Sequence, residues 1–397
     1  MIIKPEFVGP ICKNPHPYGC KVSVQKQVDY VKKQPQFKGA KKVLIIGASS
    51  GYGLATRAVM EFGAGADTIG VSFEVGVTEK RAGTAGWWNN IWYKELAAKH
   101  EKKTKNFVGD AFDDSLKKEV IKYIKEEFGG KVDLIIYSLA SGRRTDPKDG
   151  HTYSSALRSI DSEINAFTLD LSTGELINGH MGKATQEDIN NTVKVMGGED
   201  WNLWIDALLE ADAVAEGCKS IAYSYEGPKS TYPIYEGGTI GLAKRDMEKT
   251  AFEIDKKLKK LNGEAFVAIC KAMVTKASAF IPLFPVYASI LFKHMKKNGT
   301  HEGCVEQIER LFKDMVYGTK RITDSKMRVR SDNLEMEPKM QAEIENIMYT
   351  KVNNSNLKEY ADVDGFLKDF LELNGFGLEG VDYEKDVNLT ELAKLEY

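Results

Sequence analysis

The chain predicts an α/β fold, a doubly wound parallel sheet with helices on both faces, and three observations carry that reading. The run Val43, Leu44, Ile45 and Ile46 is apolar without in-out alternation, which suits a parallel strand covered on both sides. Helical periodicity separates such runs, as at residues 115–128, where Val120, Ile121 and Ile124 share one face. The first run breaks into Gly47-Ala48-Ser49-Ser50-Gly51-Tyr52-Gly53 and then a helix. A glycine turn of this kind lets backbone N–H groups and a helix N-terminus approach a pyrophosphate, as in a Rossmann-type sheet. Its spacing is G-x-x-x-G-x-G, and a tight strand-to-helix turn favours glycine even without a ligand.

Length and charge narrow the classes. The 397 residues suffice for one elaborated α/β domain or for two domains. A net charge of −2 gives no electrostatic footprint for nucleic acid or an anionic membrane. Five scattered cysteines suit a reduced, cytoplasmic setting better than a disulfide framework. Lys4, Pro5 and Glu6 follow Met1, Ile2 and Ile3 at once, so no secretory signal is expected. The apolar stretch 277–292 is shorter than a bilayer requires and carries Pro282 and Pro285, so it reads as buried or pocket-lining.

In chain order, residues 24–33 read as a helix carrying Val24, Val28 and Val31 on one face. Cys12, His16 and Cys20 stand four apart, but Pro15, Pro17 and Gly19 argue against one helix through them, and no metal site is expected. Residues 54–62 form the first helix of the sheet and 68–74 the second strand. That strand ends at Glu74, where a carboxylate accepts hydrogen bonds from an adenosine ribose and repels a 2′-phosphate. Lys80 and Arg81 lie close enough to receive such a phosphate instead. A helix at 87–100, a strand at 105–112 ending near Asp110 and Ala111, a helix at 115–128 with Ser115 near its N-cap, and a strand at 132–141 continue the alternation.

The alternation then stops for an insertion, 142–200, in which 164–177 reads as a β-hairpin around Ser172, Thr173 and Gly174. It resumes with a helix at 201–209, a strand at 219–225, a long helix at 239–261 and a strand at 263–273. The expected core is therefore 41–141 and 219–276, with 277–299 as a substrate-covering segment. Helices of 300–397 complete a single domain, including 301–316, 338–347 and 365–373. That tail shows no catalytic signature and is expected to pack or to dimerise.

Hydride delivery to a carbonyl-conjugated carbon leaves negative charge on oxygen, which a tyrosine can meet, while a nearby ammonium lowers the phenol's pKa. Tyr225 and Lys229 are four apart, but Gly227 and Pro228 break any shared helical turn. Tyr235 and Lys244 are nine steps apart, which at about 100° per residue puts them on opposite faces of one helix. Gly237 and Gly238 start the helix near Thr239 instead, leaving Tyr235 on the entering loop with Lys244 pointing back to the same cavity. Either residue alone is as compatible with a structural role.

With these residues in hand the chain resembles the trans-2-enoyl-CoA reductases and their relatives among bacterial enoyl-acyl-carrier-protein reductases, a group with a Tyr-x₈-Lys pair. The resemblance spans the whole chain. It rests on His16-Pro17-Tyr18-Gly19-Cys20, the Gly47 to Gly53 turn, Tyr137-Ser138-Leu139-Ala140, Met196-Gly197-Gly198-Glu199-Asp200-Trp201, Ala222 to Tyr225, Gly238-Thr239-Ile240-Gly241 and Asn374-Gly375-Phe376. Gly142 departs from the family pattern after the Ser-Leu-Ala turn. The resemblance implies Tyr235 as proton donor, Lys244 as the lysine that contacts the cofactor and supports it, and Tyr225 as the tyrosine on the acyl substrate. It implies NADH contacts at Ala48, Ser49, Ser50, Gly51, Tyr52, Gly53, Phe73, Glu74, Asp110, Ala111, Leu139, Ala140, Met273, Val274 and Thr275.

The expected activity is NADH-dependent reduction of a trans-2-enoyl-CoA such as crotonyl-CoA, by a cytoplasmic monomer or homodimer with no metal, nucleic-acid or transmembrane part. An enoyl-acyl-carrier-protein reductase and a non-catalytic dinucleotide sensor are the alternatives.

Overall fold

The apolar run after Lys41 becomes the strand on which both halves of the sheet are laid. In the computed structural model, residues 1–8, 11–78 and 81–397 are described. Lys80 lies outside them, as do the side chains of Cys12 and Phe280. The strands are β1 (Lys42–Ile46), β2 (Asp67–Ser72), β3 (Thr104–Val108), β4 (Val132–Tyr137), β5 (Val214–Ser224), β6 (Glu264–Ile269) and β7 (Val329–Arg330). Among the described residues they form one seven-stranded sheet in the order β3-β2-β1-β4-β5-β6-β7, every pair parallel. The chain steps outward from β1 to β3 and then returns to β4 on the other side. Between β1 and β4 the order reverses, which opens a crevice at the strands' C-terminal ends.

The main helices are α1 (Pro17–Lys33), α2 (Gly51–Ala58), α3 (Ala85–Ala98), α4 (Asp114–Glu127), α5 (Gln186–Met196), α6 (Glu199–Glu210) and α7 (Thr239–Leu258). They continue with α8 (Phe284–Lys297), α9 (Cys304–Arg310), α10 (Pro338–Thr350) and α11 (Val363–Glu372). Two apolar layers explain why β1 does not alternate. Val43 and Ile45 pack with Val28 of α1, Ala55 of α2 and Ile308 of α9, while Leu44 and Ile46 pack with Val120 of α4, Trp201 of α6 and Ile254 of α7. Each buried aliphatic side chain contributes about 1.5–3 kcal/mol, so both faces of the sheet are well supplied.

Several boundaries differ from the sequence reading for identifiable reasons. Helix α1 begins at Pro17, not at residue 24, because proline is tolerated in a first turn and His16 caps it, its Nδ1 accepting the Gly19 N–H at 3.1 Å. Helix α2 starts inside the glycine turn, at Gly51. Asp113, not Ser115, caps α4, and the Ser115 N–H donates to it at 2.7 Å. Pro285 falls in the first turn of α8, so the 277–292 stretch resolves into a short turn and then a buried helix. Strand β7, two residues long, carries no periodicity and escaped the sequence reading. Among the described residues no helix is long and apolar enough to cross a membrane.

The insertion holds the expected hairpin, Ile164–Leu169 antiparallel to Leu176–Met181. It packs over the C-terminal edge of the sheet, sharing one apolar cluster with Ile240 of α7, Tyr287 of α8, Ile344 of α10 and Phe366 of α11. One side of the crevice is therefore roofed by apolar side chains.

The β1–α2 turn is the tightest point of this arrangement. Gly47 has φ +94°, and a Cβ there would sit 2.2 Å from the Ser138 carbonyl oxygen beyond β4. A Cβ on Gly53 would sit 1.8 Å from the Gly47 carbonyl oxygen. Backbone, not a movable side chain, fills both places. Gly142, by contrast, has open space around its Cβ position. Gly53→Ala is expected to cost about 2 kcal/mol or more and to weaken NADH binding more than about tenfold. Gly142→Ala should leave both within error, and thermal unfolding with a fluorescence titration of NADH checks the pair.

Candidate active site

Apart from Lys244, which lies on α7, every residue expected to touch the cofactor follows the C-terminal end of a parallel strand, so the topology gathers them on one edge. Ala48 to Gly53 follow β1, Phe73 and Glu74 follow β2, Asp110 and Ala111 follow β3, Leu139 and Ala140 follow β4, and Met273 to Thr275 follow β6. Ser50 is the N-cap of α2 and its side chain makes no capping bond, which leaves the helix's first turn open to an anion. Thr275 closes over this turn, its Cγ2 lying 3.8 Å from the Cβ position of Gly51.

Glu74 is held in place by two hydroxyls. Ser49 Oγ donates to its Oε1 at 2.5 Å, and Thr84 Oγ1 donates to Oε2. The carboxylate thus stands beside the glycine turn, and Phe73 next to it is 75% exposed. Asp110 accepts the Phe112 N–H at 3.0 Å, and the Ala111 carbonyl accepts the Trp204 Nε1–H at 3.1 Å, which fixes the loop after β3. Tyr52 turns its ring away from the crevice mouth and donates to the Lys271 carbonyl at 2.5 Å. A nicotinamide dinucleotide fits this edge: at Gly47 and Gly53 the backbone leaves no volume for a side chain, α2 opens toward the turn, and a carboxylate ends β2.

The second half of the site lies where β5 ends. Ser224, Tyr225, Tyr235, Lys244 and Arg328 line one cavity together with Glu226, Glu236 and Glu248. Tyr235 is carried by the turns ahead of α7, and Lys244 reaches back from the second turn of that helix. Lys244 Nζ donates to Ser224 Oγ at 3.2 Å. The Tyr225 and Tyr235 rings meet edge to face with centroids 4.7 Å apart, and Phe284 of α8 closes against both. Lys229 is exposed and takes no part in this cluster.

Burial governs the protonation of these groups. Tyr235 is 3% exposed, and desolvation, followed by the Glu335 charge, lifts its pKa well above 10. This reverses the expectation that the lysine would lower it. Loss of hydration and the Glu335 charge both raise the phenol, so Tyr235 remains a protonated donor at neutral pH. Its hydroxyl makes no hydrogen bond within the described residues. Desolvation lowers Lys244 to about 8, leaving it mostly an ammonium at pH 7. Tyr225 is also raised, first by burial and then by Glu335.

Glu335 was not legible beforehand. Tyr225 Oη–H donates to its Oε1 at 3.0 Å, Tyr287 Oη–H to the same oxygen at 2.7 Å, and the Ala272 N–H to Oε2 at 2.6 Å. Arg328 and Arg330 pair with Glu226, the residue after Tyr225, each at 2.9 Å. The tail, expected to pack or to dimerise, packs against the wall of the site through 328–335. Ser224 was missed as well. The only available signal was a charged cluster, Arg328, Arg330, Asp332 and Glu335, in a stretch without periodicity.

The chain matches three family models. They are the NAD(P)H binding domain of trans-2-enoyl-CoA reductase over residues 2–79, the trans-2-enoyl-CoA reductase catalytic region over 81–317, and an enoyl reductase FAD binding domain over 323–387. The last description implies a flavin, and the residues present do not fit one. There α10 and α11 turn Met340, Ile344, Phe366 and Phe370 into the same apolar cluster as α8. The buried acids there, Asp332 and Glu335, are already bonded, to Arg330 and to the Tyr225 and Tyr287 hydroxyls, and are not free to hold a flavin.

A trans-2-enoyl-CoA reductase (NADH) of Clostridium beijerinckii is 51% identical over 399 residues, covering 100% of both chains. An enoyl-[acyl-carrier-protein] reductase (NADH) 2 of Photobacterium profundum is 46% identical, again over 100% of both. The crystal structure of Clostridium acetobutylicum trans-2-enoyl-CoA reductase in complex with NADH superposes with a TM-score of 0.98 at 48% identity, covering 100% of each chain. With the catalytic-region model spanning 81–317 and such relatives matched along their whole length, the chain belongs to the trans-2-enoyl-CoA reductase family.

Proposed function

We propose that this protein reduces trans-2-enoyl-CoA thioesters of crotonyl-CoA type with NADH. One observation carries the reading: Tyr235, a protonated side chain 3% exposed whose hydroxyl has no hydrogen-bond partner among the described residues, lines one cavity with Lys244 at the edge that holds the dinucleotide cradle. Bound NADH supplies a hydride to the β-carbon of the enoyl group. Tyr235 donates a hydrogen bond to the thioester carbonyl oxygen, where the negative charge of the enolate develops; the enolate α-carbon then takes up a proton that Tyr235 helps to deliver, and the phenol regains its own from solvent. Lys244, mostly an ammonium at pH 7, would contact the bound cofactor and support Tyr235. Phe284 and the α8 face exclude water from the reacting carbon, so the hydrogen bond from Tyr235 acts in low dielectric.

In this reading 41–141 and 219–276 form the reductase core, 142–200 and 277–299 cover the acyl chain, and 300–397 buttress the site. The reading is of a cytoplasmic monomer or homodimer. The name of the Photobacterium profundum relative favours acyl-carrier-protein thioesters as the second substrate class.

An assay with crotonyl-CoA, following NADH and NADPH oxidation in parallel, is expected to show turnover preferentially with NADH. Turnover only of carrier-protein thioesters would move the assignment to the second class, and NADH binding without any turnover would leave a sensor. Tyr235→Phe should lower kcat by about 10²-fold or more while the Kd for NADH stays within about twofold. Glu74→Ser should narrow the NADH over NADPH preference by about tenfold, since it removes the charge that opposes a 2′-phosphate.

The pH dependence follows from Lys244. Its folded pKa of about 8 lies below the usual lysine value, so the ammonium is present below that pH and is lost as pH rises through it. The kcat/KM for NADH should fall above about pH 8, and Lys244→Met should abolish that limb along with most of the rate. A limb unchanged in Lys244→Met would assign it to another group.

A further inference from the structure

We propose that Glu335 is a positioning residue that divides labour between the two tyrosines. By taking the Tyr225 proton it turns Tyr225 into an acceptor toward the substrate, and leaves Tyr235 as the hydroxyl that donates to the thioester oxygen. The inference rests on the reductase reading above and adds to it a residue from the C-terminal segment.

The hydrogen-bond inventory carries the argument. A tyrosine hydroxyl has one proton to give. Tyr225 gives its proton to Glu335 Oε1 at 3.0 Å. The remaining face of the Tyr225 oxygen offers lone pairs alone. Tyr235, in edge contact with Tyr225 at 4.7 Å between centroids, has no such commitment within the described residues. Two adjacent phenols of the same residue type thus acquire opposite hydrogen-bonding roles.

Glu335 must be a carboxylate to do this. Three donors converge on it, the Tyr225 and Tyr287 hydroxyls on Oε1 and the Ala272 N–H on Oε2. A neutral carboxyl would have to aim its own proton at one of these donors. Burial pushes Glu335 toward the neutral form, opposed by the Tyr287 bond, the Lys271 charge and the Ala272 amide. Lys271 is itself fully buried, its Nζ bonded to the Ala272 carbonyl at 2.9 Å.

The segment that carries Glu335 is fixed at several points. Ser331 Oγ donates to the Ile269 carbonyl at 2.8 Å, which lays the segment on the end of β6. Gln341 Nε2 donates to the Glu335 carbonyl at 2.7 Å from α10. Arg328 and Arg330 hold Glu226, so the residue after Tyr225 and the hydroxyl of Tyr225 are secured by the same stretch. A carboxylate so restrained sets a phenol's direction; a mobile one does not.

A double-mutant cycle on the full chain tests this. Glu335→Gln keeps the volume and removes the charge; kcat for crotonyl-CoA is expected to fall about tenfold or more, as for loss of a hydrogen bond to a charged group, with the Kd for NADH within about twofold. In the Tyr225→Phe background the same change should cost less than about twofold, because Glu335 acts through the Tyr225 hydroxyl. Glu335→Asp, which keeps the charge and loses reach, serves in the same cycle if the glutamine variant does not fold. An equal loss in both backgrounds, an unchanged rate in Glu335→Gln, or failure of both variants to fold would overturn the positioning role and leave Glu335 structural. Absence of wild-type turnover with any enoyl thioester would instead overturn the reductase reading, and this inference with it.

Discussion

The close approach of backbone to backbone at the β1–α2 turn is the constraint on which the rest of the site depends. The Gly53 backbone lies against the Gly47 carbonyl, and Gly47 lies against the Ser138 carbonyl, with no volume between them for a side chain. That contact pulls the start of α2 over the sheet and ties the β1 loop to the β4 loop at the point where strand order reverses. Glu74, held by Ser49 from the same turn, inherits its position from this contact. A looser turn would displace α2's first turn and the ribose carboxylate together.

Desolvation does the second part of the work. Tyr235 is packed against Phe284 and Tyr225 within the apolar cluster that the hairpin and α8 share, and the protonation states follow from that loss of hydration. The phenols are driven up, the lysines Lys244 and Lys271 are driven down to about 8, and Glu335, itself raised by burial, accepts from three donors. A set of largely buried groups, an ammonium, a protonated phenol and a fixed carboxyl, is arranged to stabilise charge that appears only during reaction. In water the same groups would be screened and would compete with solvent for each hydrogen bond.

How much of this was legible depends on the range of the signal. The strands β1 to β6 and the long helices announce themselves through local periodicity and glycine punctuation, and the Tyr235–Lys244 arrangement follows from locating one helix start at Thr239. The start of α1 was hidden because proline usually ends a helix, yet Pro17 occupies a first turn capped by His16. Strand β7 was hidden because two residues form no pattern. Glu335 was hidden for a deeper reason. Its partners Tyr225 and Tyr287 lie 110 and 48 residues away, and no local rule links an acid in an irregular stretch to tyrosines at such separations. The sign of the Tyr235 shift was misjudged because charge proximity can be guessed along a helix, whereas burial is a property of the whole fold.

The same reasoning explains why a doubly wound sheet here carries a long C-terminal extension. Tyr225 sits on a loop just beyond β5, and a side chain on a loop is placed less precisely than one on a strand or helix. Catalytic hydrogen bonds tolerate displacements of only a fraction of an ångström, so the loop needs support from outside its own element. The extension supplies it from three directions: Arg328 and Arg330 on Glu226, Glu335 on the Tyr225 hydroxyl, and α10 behind Glu335 through Gln341. These bonds are buried or partly buried, where truncating one partner strands the other and costs more than the bond's own net worth. The extension is therefore a part of the site's wall, and its packing against α8 is the means by which Tyr225 is aimed.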